Sequence, residues 1–351
     1  MSFVARQSKL PVLDLSRFDA GAAERAQFLA ALGAAARDVG FFYVVGHGVG
    51  EALQRDVLDL ARRFFALPDA EKLAIEMVNS PHFRGYTRVG WERTRGKPDW
   101  REQVDVGAER PVIVAGPEVP AWSRLQGPNQ WPASLPELRP ALLRWQSELS
   151  AVLIRLLRAF ALALEQPEDI FEPIYRDAPH QLLKIIRYPG REPGRDEQGV
   201  GAHKDSGILS AVFQGDRGGL QVETETGWID AEPLPGSFVV NIGEALEMAS
   251  DGYLRATVHR VVAPPSGTDR LSVAFFLGAR LDATVPQLTL PPDLARQKRG
   301  VDRDPNNPLF RQVGQNYLKS RLRSHPDVAR RHHADLLQAF GLESDGPASA
   351  Y

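Results

Sequence analysis

LLKIIRY (182–188), VGAHKD (200–205), LSAVFQ (209–214), GLQVE (219–223), GWIDAE (227–232), SFVVNIG (237–243), ATVHRVV (256–262) and RLSVAFFLG (270–278) follow one another between Gln181 and Leu281. Most are rich in Val, Ile, Leu, Phe or Trp, and Gly, Pro or acidic turns separate them. Many short strands at turn-punctuated spacing predict a sandwich or barrel. Gly201, Gly207, Gly218, Gly219, Gly227, Gly236 and Gly243 supply its corners.

Upstream, Leu138 to Leu164 predicts a long helix whose stripe of Leu142, Leu149, Leu153, Leu156, Phe160 and Leu164 faces a sheet. Leu10 to Leu15 predicts a strand, Ala22 to Val39 a helix ended by Gly40, Phe41 to Val45 a buried strand, and Glu51 to Phe65 a second helix. Ser80 to Gly107 is rich in Arg, Gly and aromatic residues with little periodicity, which predicts a long loop or lid. Downstream of Pro291 a proline-rich turn leads to helices over Phe310 to Leu322 and His325 to Phe340. In this region Arg321, Arg323, Arg330 and Arg331 alternate with apolar residues at helical spacing and read as a solvated face.

The 351 residues are 43% hydrophobic, enough for a large core. A formal net charge of -2 gives no basic field for nucleic acid or an anionic membrane. The absence of cysteine excludes disulfides, thiolate zinc, iron–sulfur clusters and a cysteine nucleophile, so any metal is held by nitrogen and oxygen. Met1 to Asp14 has no long apolar run, and no stretch approaches the roughly 20 apolar residues of a membrane span. A cytoplasmic protein is the expectation. No motif specifies an oligomeric state.

His203 and Asp205 stand two apart in an extended segment, so their side chains leave one face. His259 sits in a late strand, and only a sheet that curls on itself brings it to the same point. Two histidines and one carboxylate with open positions form the facial arrangement of non-haem Fe(II) oxygenases. An HxD pair alone arises often by chance, and a lone strand histidine is commonly a satisfied core residue. The second pair, Arg270 and Ser272, changes the balance. An Arg in an otherwise apolar strand is costly unless an anion meets it, and its planar fork matches a carboxylate.

PVLDLS, GFFYVVGHGV, LLKIIRYP, GAHKDSGILS, GGLQVETETGWIDAEPLPGSFVVNIGEALEMAS and ATVHRVVAPPSGTDRLSVAFF together resemble the isopenicillin N synthase-like branch of the 2-oxoglutarate and Fe(II)-dependent oxygenases. The resemblance spans most of the chain, with HxD, a later His and RxS in order. It implies an α+β protein: a double-stranded β-helix (jelly-roll) barrel with an N-terminal αβ lobe and flanking helices. Residues 1–110 then form the lobe and lid, and residues 111–351 the core with supporting helices, packed as one unit. The resemblance also implies iron ligation by His203, Asp205 and His259. Arg270 and Ser272 would hold the distal carboxylate of 2-oxoglutarate, with Tyr188 adding its hydroxyl, and Asn241 matches a family Asn at the co-substrate site. Glu244 stands where the family has Asp, and Ile186 where plant members commonly have Asn. Lys204 replaces a frequent Thr, on the face away from the metal.

The implied reaction reduces O2 with four electrons, two from decarboxylation of 2-oxoglutarate to succinate and two from a small-molecule substrate, most simply by hydroxylation. Three rivals stand beside it: an oxidase that dispenses with 2-oxoglutarate, an ethylene-forming enzyme that fragments it, and a cupin-like zinc hydrolase or binding module. The last leaves Arg270 and Ser272 unexplained. Phe83, Arg84, Tyr86, Arg88, Trp91 and Arg95 in the lid, with Phe275 from the barrel, are the candidate substrate contacts and suggest an anionic small molecule.

Overall fold

Alternation along the barrel strands sends neighbouring residues into two different apolar layers. In a computed structural model, which describes residues 9–114, 116–192, 198–301, 307–340 and 342, one layer lies between two sheets and the other between the larger sheet and the helices. The strands are β1 (Val12–Asp14), β2 (Phe41–Val45), β3 (Gly85–Thr87), β4 (Arg93–Thr94), β5 (Lys97–Pro98), β6 (Glu102–Gly107) and β7 (His180–Tyr188). They continue as β8 (Gln198–His203), β9 (Leu209–Gln214), β10 (Leu220–Thr224), β11 (Gly227–Asp230), β12 (Phe238–Ile242), β13 (His259–Val262) and β14 (Arg270–Gly278). The helices are α1 (Ala22–Asp38), α2 (Glu51–Phe65), α3 (Asp69–Ala74), α4 (Leu138–Ala163) and α5 (Glu172–Tyr175), then α6 (Glu244–Ala249), α7 (Pro292–Ala295), α8 (Val313–Ser324), α9 (Pro326–His332) and α10 (Ala334–Leu337).

Among the described residues the larger sheet runs β1-β2-β12-β9-β14-β7-β6-β3 and the smaller β11-β10-β13-β8. Ile186, Tyr188, Val239 and Ala274 of the first share a buried layer with Val200, Leu220, Val222 and Val261 of the second. That shared interior is the jelly-roll barrel. On the other face of the larger sheet, Leu183, Ile185, Val240, Val273 and Phe275 join Leu142, Trp145, Leu149, Leu153 and Phe160 of α4 in the second layer. The whole expected stripe, Leu164 included, is therefore buried, and α4 closes one residue earlier than its periodicity suggested. Among the described residues no helix is long and apolar enough to cross a membrane; the first eight residues of the N-terminal reading lie outside the described residues.

Two expectations are corrected. Residues 80–107 are not a loop throughout: β6 pairs with β7 along its whole length and β3 pairs with β6, which extends the larger sheet by two strands, and only the stretches between the strands are loop. The helix expected over His325 to Phe340 breaks at His333, whose φ is -135°. There the ring stacks on Phe83 with centroids 5.1 Å apart and Nε2 meets the Pro81 carbonyl oxygen at 2.8 Å, a tertiary gain that replaces helical pairing.

Candidate active site

His259 opens β13 directly opposite His203, the last residue of β8, so antiparallel pairing places the two imidazoles side by side with centroids 4.3 Å apart. Asp205 follows in the turn after β8 and turns its Oδ1 toward both, 3.6 Å from His203 Nε2 and 3.8 Å from His259 Nε2. One ligand atom from each residue lies within 4.8 Å of the others.

The polar groups around the triad fix its orientation. His203 Nδ1 lies 2.8 Å from the Gly201 carbonyl oxygen and His259 Nδ1 3.2 Å from that of Thr257. A carbonyl only accepts, so both Nδ1 atoms carry the proton and both Nε2 lone pairs face the common point. Asp205 Oδ2 accepts from Ser210 Oγ at 2.6 Å and from Asn241 Nδ2 at 2.8 Å, which leaves Oδ1 for the centre. Such hydrogen bonds behind a ligand set its orientation. Burial alone would raise the Asp205 carboxyl, but His259, His203 and Asn241 hold it well below the usual carboxylate range. Burial and the neighbouring His203 push His259 down to about 4, so its imidazole is neutral near pH 7. Burial works against protonation of His203 too, yet its hydrogen bond and charge contact with Asp205 raise it. With both Nε2 atoms deprotonated, the three ligand atoms are converging acceptors that repel one another until a cation enters. The N,N,O set fits Fe(II).

Deeper in the barrel, Arg270 is 1% exposed. Its Nη2 donates to Gln214 Oε1 at 3.0 Å and Nη1 to Ser272 Oγ at 3.3 Å, while the guanidinium lies 4.9 Å over the Tyr188 ring. Nε has no partner. No acidic side chain among the described residues pairs with it, and burial lowers its pKa. Register explains the grouping, since Arg270 is opposite Tyr188, and Ser272 is opposite both Ile186 and Gln214. An ionised fork with two aligned neutral partners and no counter-ion suits the carboxylate of a bound acid. Lys204 turns away to Glu247, 3.2 Å from its Oε2.

Asn241 serves Asp205 rather than the Arg270 group. The expected substrate residues are distributed elsewhere. Phe83 is fully buried against His333. Arg84 donates to the carbonyls of His82, Phe83 and Leu125, and burial followed by the charge of Arg321 brings it down to about 10. The Tyr86 hydroxyl donates to Glu102 Oε2 at 2.6 Å, and Arg88 grips Glu76 with two nitrogens. Trp91 is 45% exposed under Arg88, and Arg95 lines a groove with Lys97 and Arg260. Phe275 faces the helical layer; its neighbour Phe276, with the parity of Arg270 and Ser272, faces inward.

A cavity of about 150 Å³ does adjoin the triad, lined by His203, Asp205, Leu182, Phe276, Glu92, Arg101 and Lys184, and by Tyr317 and Arg321 of α8. Arg321, expected on a solvated face, is 7% exposed and bonds Asp105 at 2.8 Å; Arg330 and Arg331 are exposed as expected. Three of these missed residues carried a sequence signal. Phe276 had the right parity, Gln214 shared the face of Ser210, and Arg321 lay one helical turn from Tyr317.

Comparison with known proteins bears on the same residues. The family model described as "2OG-Fe(II) oxygenase superfamily" matches residues 179–279, and that described as "non-haem dioxygenase in morphine synthesis N-terminal" matches residues 10–134. A 2-oxoglutarate-dependent dioxygenase, frbJ, of Dothideomycetidae sp. is 37% identical over 92% of this chain and 91% of its own. A homoarginine-6-hydroxylase of Arabidopsis thaliana is 38% identical over 82% of this chain and 89% of its own. Among solved structures, a 2OG-Fe(II) oxygenase family protein from Caulobacter crescentus superposes with a TM-score of 0.72 at 28% identity, covering 89% of this chain and 99% of that one.

Proposed function

Because the chain belongs to the 2OG-Fe(II) oxygenase superfamily, we propose roles for the residues of its site. His203, Asp205 and His259 hold one Fe(II). Arg270 and Ser272, with Tyr188 beneath the guanidinium, hold the distal carboxylate of 2-oxoglutarate. A small-molecule substrate enters the cavity bounded by Phe276, Lys184 and α8. The observation that carries this reading is the Arg270 guanidinium, buried and without an acidic partner.

When bound, iron and 2-oxoglutarate supply the redox chemistry: O2 takes four electrons, two from decarboxylation to succinate and CO2 and two from the substrate, which gains one oxygen atom. The protein's own groups prepare that reaction. Main-chain carbonyls at Gly201 and Thr257 lock the imidazole tautomers. Ser210 and Asn241 hold the Asp205 carboxylate so that one oxygen faces the metal. Gln214 fixes the Arg270 fork before the co-substrate arrives, which lowers the ordering cost of binding. The apolar layer of Ile186, Val200, Val222 and Val261 excludes water from the interior.

The test is metal content and succinate production in Asp205→Ala. The wild-type chain binds one Fe(II) and releases succinate from 2-oxoglutarate, and the variant, still folded, loses iron and succinate production together. Wild-type iron content and turnover in Asp205→Ala would remove these ligands from the site.

A further inference from the structure

Resting on that oxygenase reading, we infer that the prime substrate carries a carboxylate and that Arg321 of α8 receives it. Five cations line the cavity, Arg93, Arg101, Lys184, Lys204 and Arg321, against two acids of the lining, Glu92 and Asp205; Lys204 is turned to Glu247, and Asp205 to the two histidines. The acidic acceptors nearby are occupied. Glu92 takes hydrogen bonds from Arg101 Nη2 at 2.8 Å and from Lys184 Nζ at 2.9 and 3.1 Å. Asp105 takes them from Gln103 Nε2 at 2.7 Å and from Arg321 Nη1 at 2.8 Å.

The donors are not exhausted in the same way. Arg321 Nη2, Arg101 Nε and the Tyr317 hydroxyl are buried without a partner. The ion pair with Asp105 accounts for one nitrogen of Arg321 and leaves the other. Buried donors left unmet are costly, so a cavity that keeps them is matched to a ligand with acceptors. A planar carboxylate matches a guanidinium edge. Tyr317 is held over the cavity because Gly207 and Gly278 beneath it lack side chains; a Cβ at Gly278 would overlap its hydroxyl. Selectivity on this reading lies in α8 rather than in residues 80–91.

The experiment uses the full chain loaded with Fe(II) and kept anaerobic. The probes are a panel of amino acids and of aliphatic and aromatic monocarboxylates, each beside its primary amide. Thermal stabilisation is read with and without 2-oxoglutarate, and succinate release is read after oxygen is admitted. The expected result is a set of carboxylates that stabilise the enzyme and stimulate succinate release, with their amides weaker by about tenfold or more. Arg321→Gln removes this preference while stabilisation by 2-oxoglutarate stays at the wild-type level. The double variant Arg321→Gln with Asp105→Asn, which leaves no unpaired buried carboxylate, behaves in the same way. The inference is overturned if no carboxylate is preferred to its amide, if the variants keep the preference, or if they lose 2-oxoglutarate together with it. Failure of the oxygenase reading is separate: wild type would then show neither stabilisation by 2-oxoglutarate nor succinate, while the carboxylate preference is still read from melting without co-substrate.

Discussion

Strands β14 and β6 flank β7 in the same sheet, and both bury charge, yet they use it differently. In β6 the acids are met by the protein itself. Glu102 accepts from Tyr86 and Arg187 and lies 3.5 Å from Lys72, and Asp105 lies between Arg321 and Lys184. In β14 the charge is concentrated at one end, where Arg270 has only neutral partners. A buried charge with an internal counter-ion fastens the architecture. A buried charge without one marks where a ligand belongs.

That contrast can be broken most sharply at Asp105. Asp105→Ala leaves Arg321 buried without its acid and Lys184 with Glu92 alone, and the expected loss is about 3–5 kcal/mol of folding stability, measured by urea unfolding. A loss under about 1 kcal/mol, within the range of ordinary exposed pairs, would mean that these charges fasten nothing. At the other pole, Arg270→Lys is expected to unfold at nearly the same urea concentration but to bind 2-oxoglutarate about tenfold or more weakly, since a point charge cannot reproduce a two-pronged contact. Iron content stays the same, and 2-oxobutyrate, which lacks the distal carboxylate, loses less. Titration of both acids by oxygen uptake decides it, and equal 2-oxoglutarate affinity in the two proteins would take the co-substrate away from Arg270. The smallest effect is expected at Trp91, half-exposed on the surface of the segment that carries β3 to β6. Trp91→Ala shifts stability by no more than about 0.5 kcal/mol and leaves succinate release unchanged; a clear fall in coupled turnover would return Trp91 to substrate contact.

The same contrast explains what could be read in the chain beforehand. The barrel strands were legible because a strand with apolar residues on both faces stands out from its turns, and HxD and RxS each present two side chains on one face. β6 was hidden. Its alternation is Glu102, Gln103, Val104, Asp105, Val106, and a buried strand whose acids are met by residues as far along the chain as Arg187 and Arg321 has no local hydrophobic signature. Arg321 was hidden for the reciprocal reason, because an Arg on a helix face reads as solvated until the acid that buries it is known. Phe275 was an error of parity that the sequence could have prevented, since Arg270, Ser272 and Phe276 share one face. Asn241 matched a family position, but only the turn after β8 places it on Asp205.

The docking of α8 over Gly207 and Gly278 has a consequence for how such an enzyme changes over time. All three candidate iron ligands and Arg270 lie in the stretch 203–270, held by strand pairing and by the turn after β8, whereas Tyr317 and Arg321 come from a helix that belongs to neither barrel sheet. The reacting centre and the groups that choose its substrate are thus written in separate pieces of the gene. A substitution at 317, 320, 321 or 324 can redirect the enzyme toward a new molecule while the inherited oxidation machinery passes on untouched.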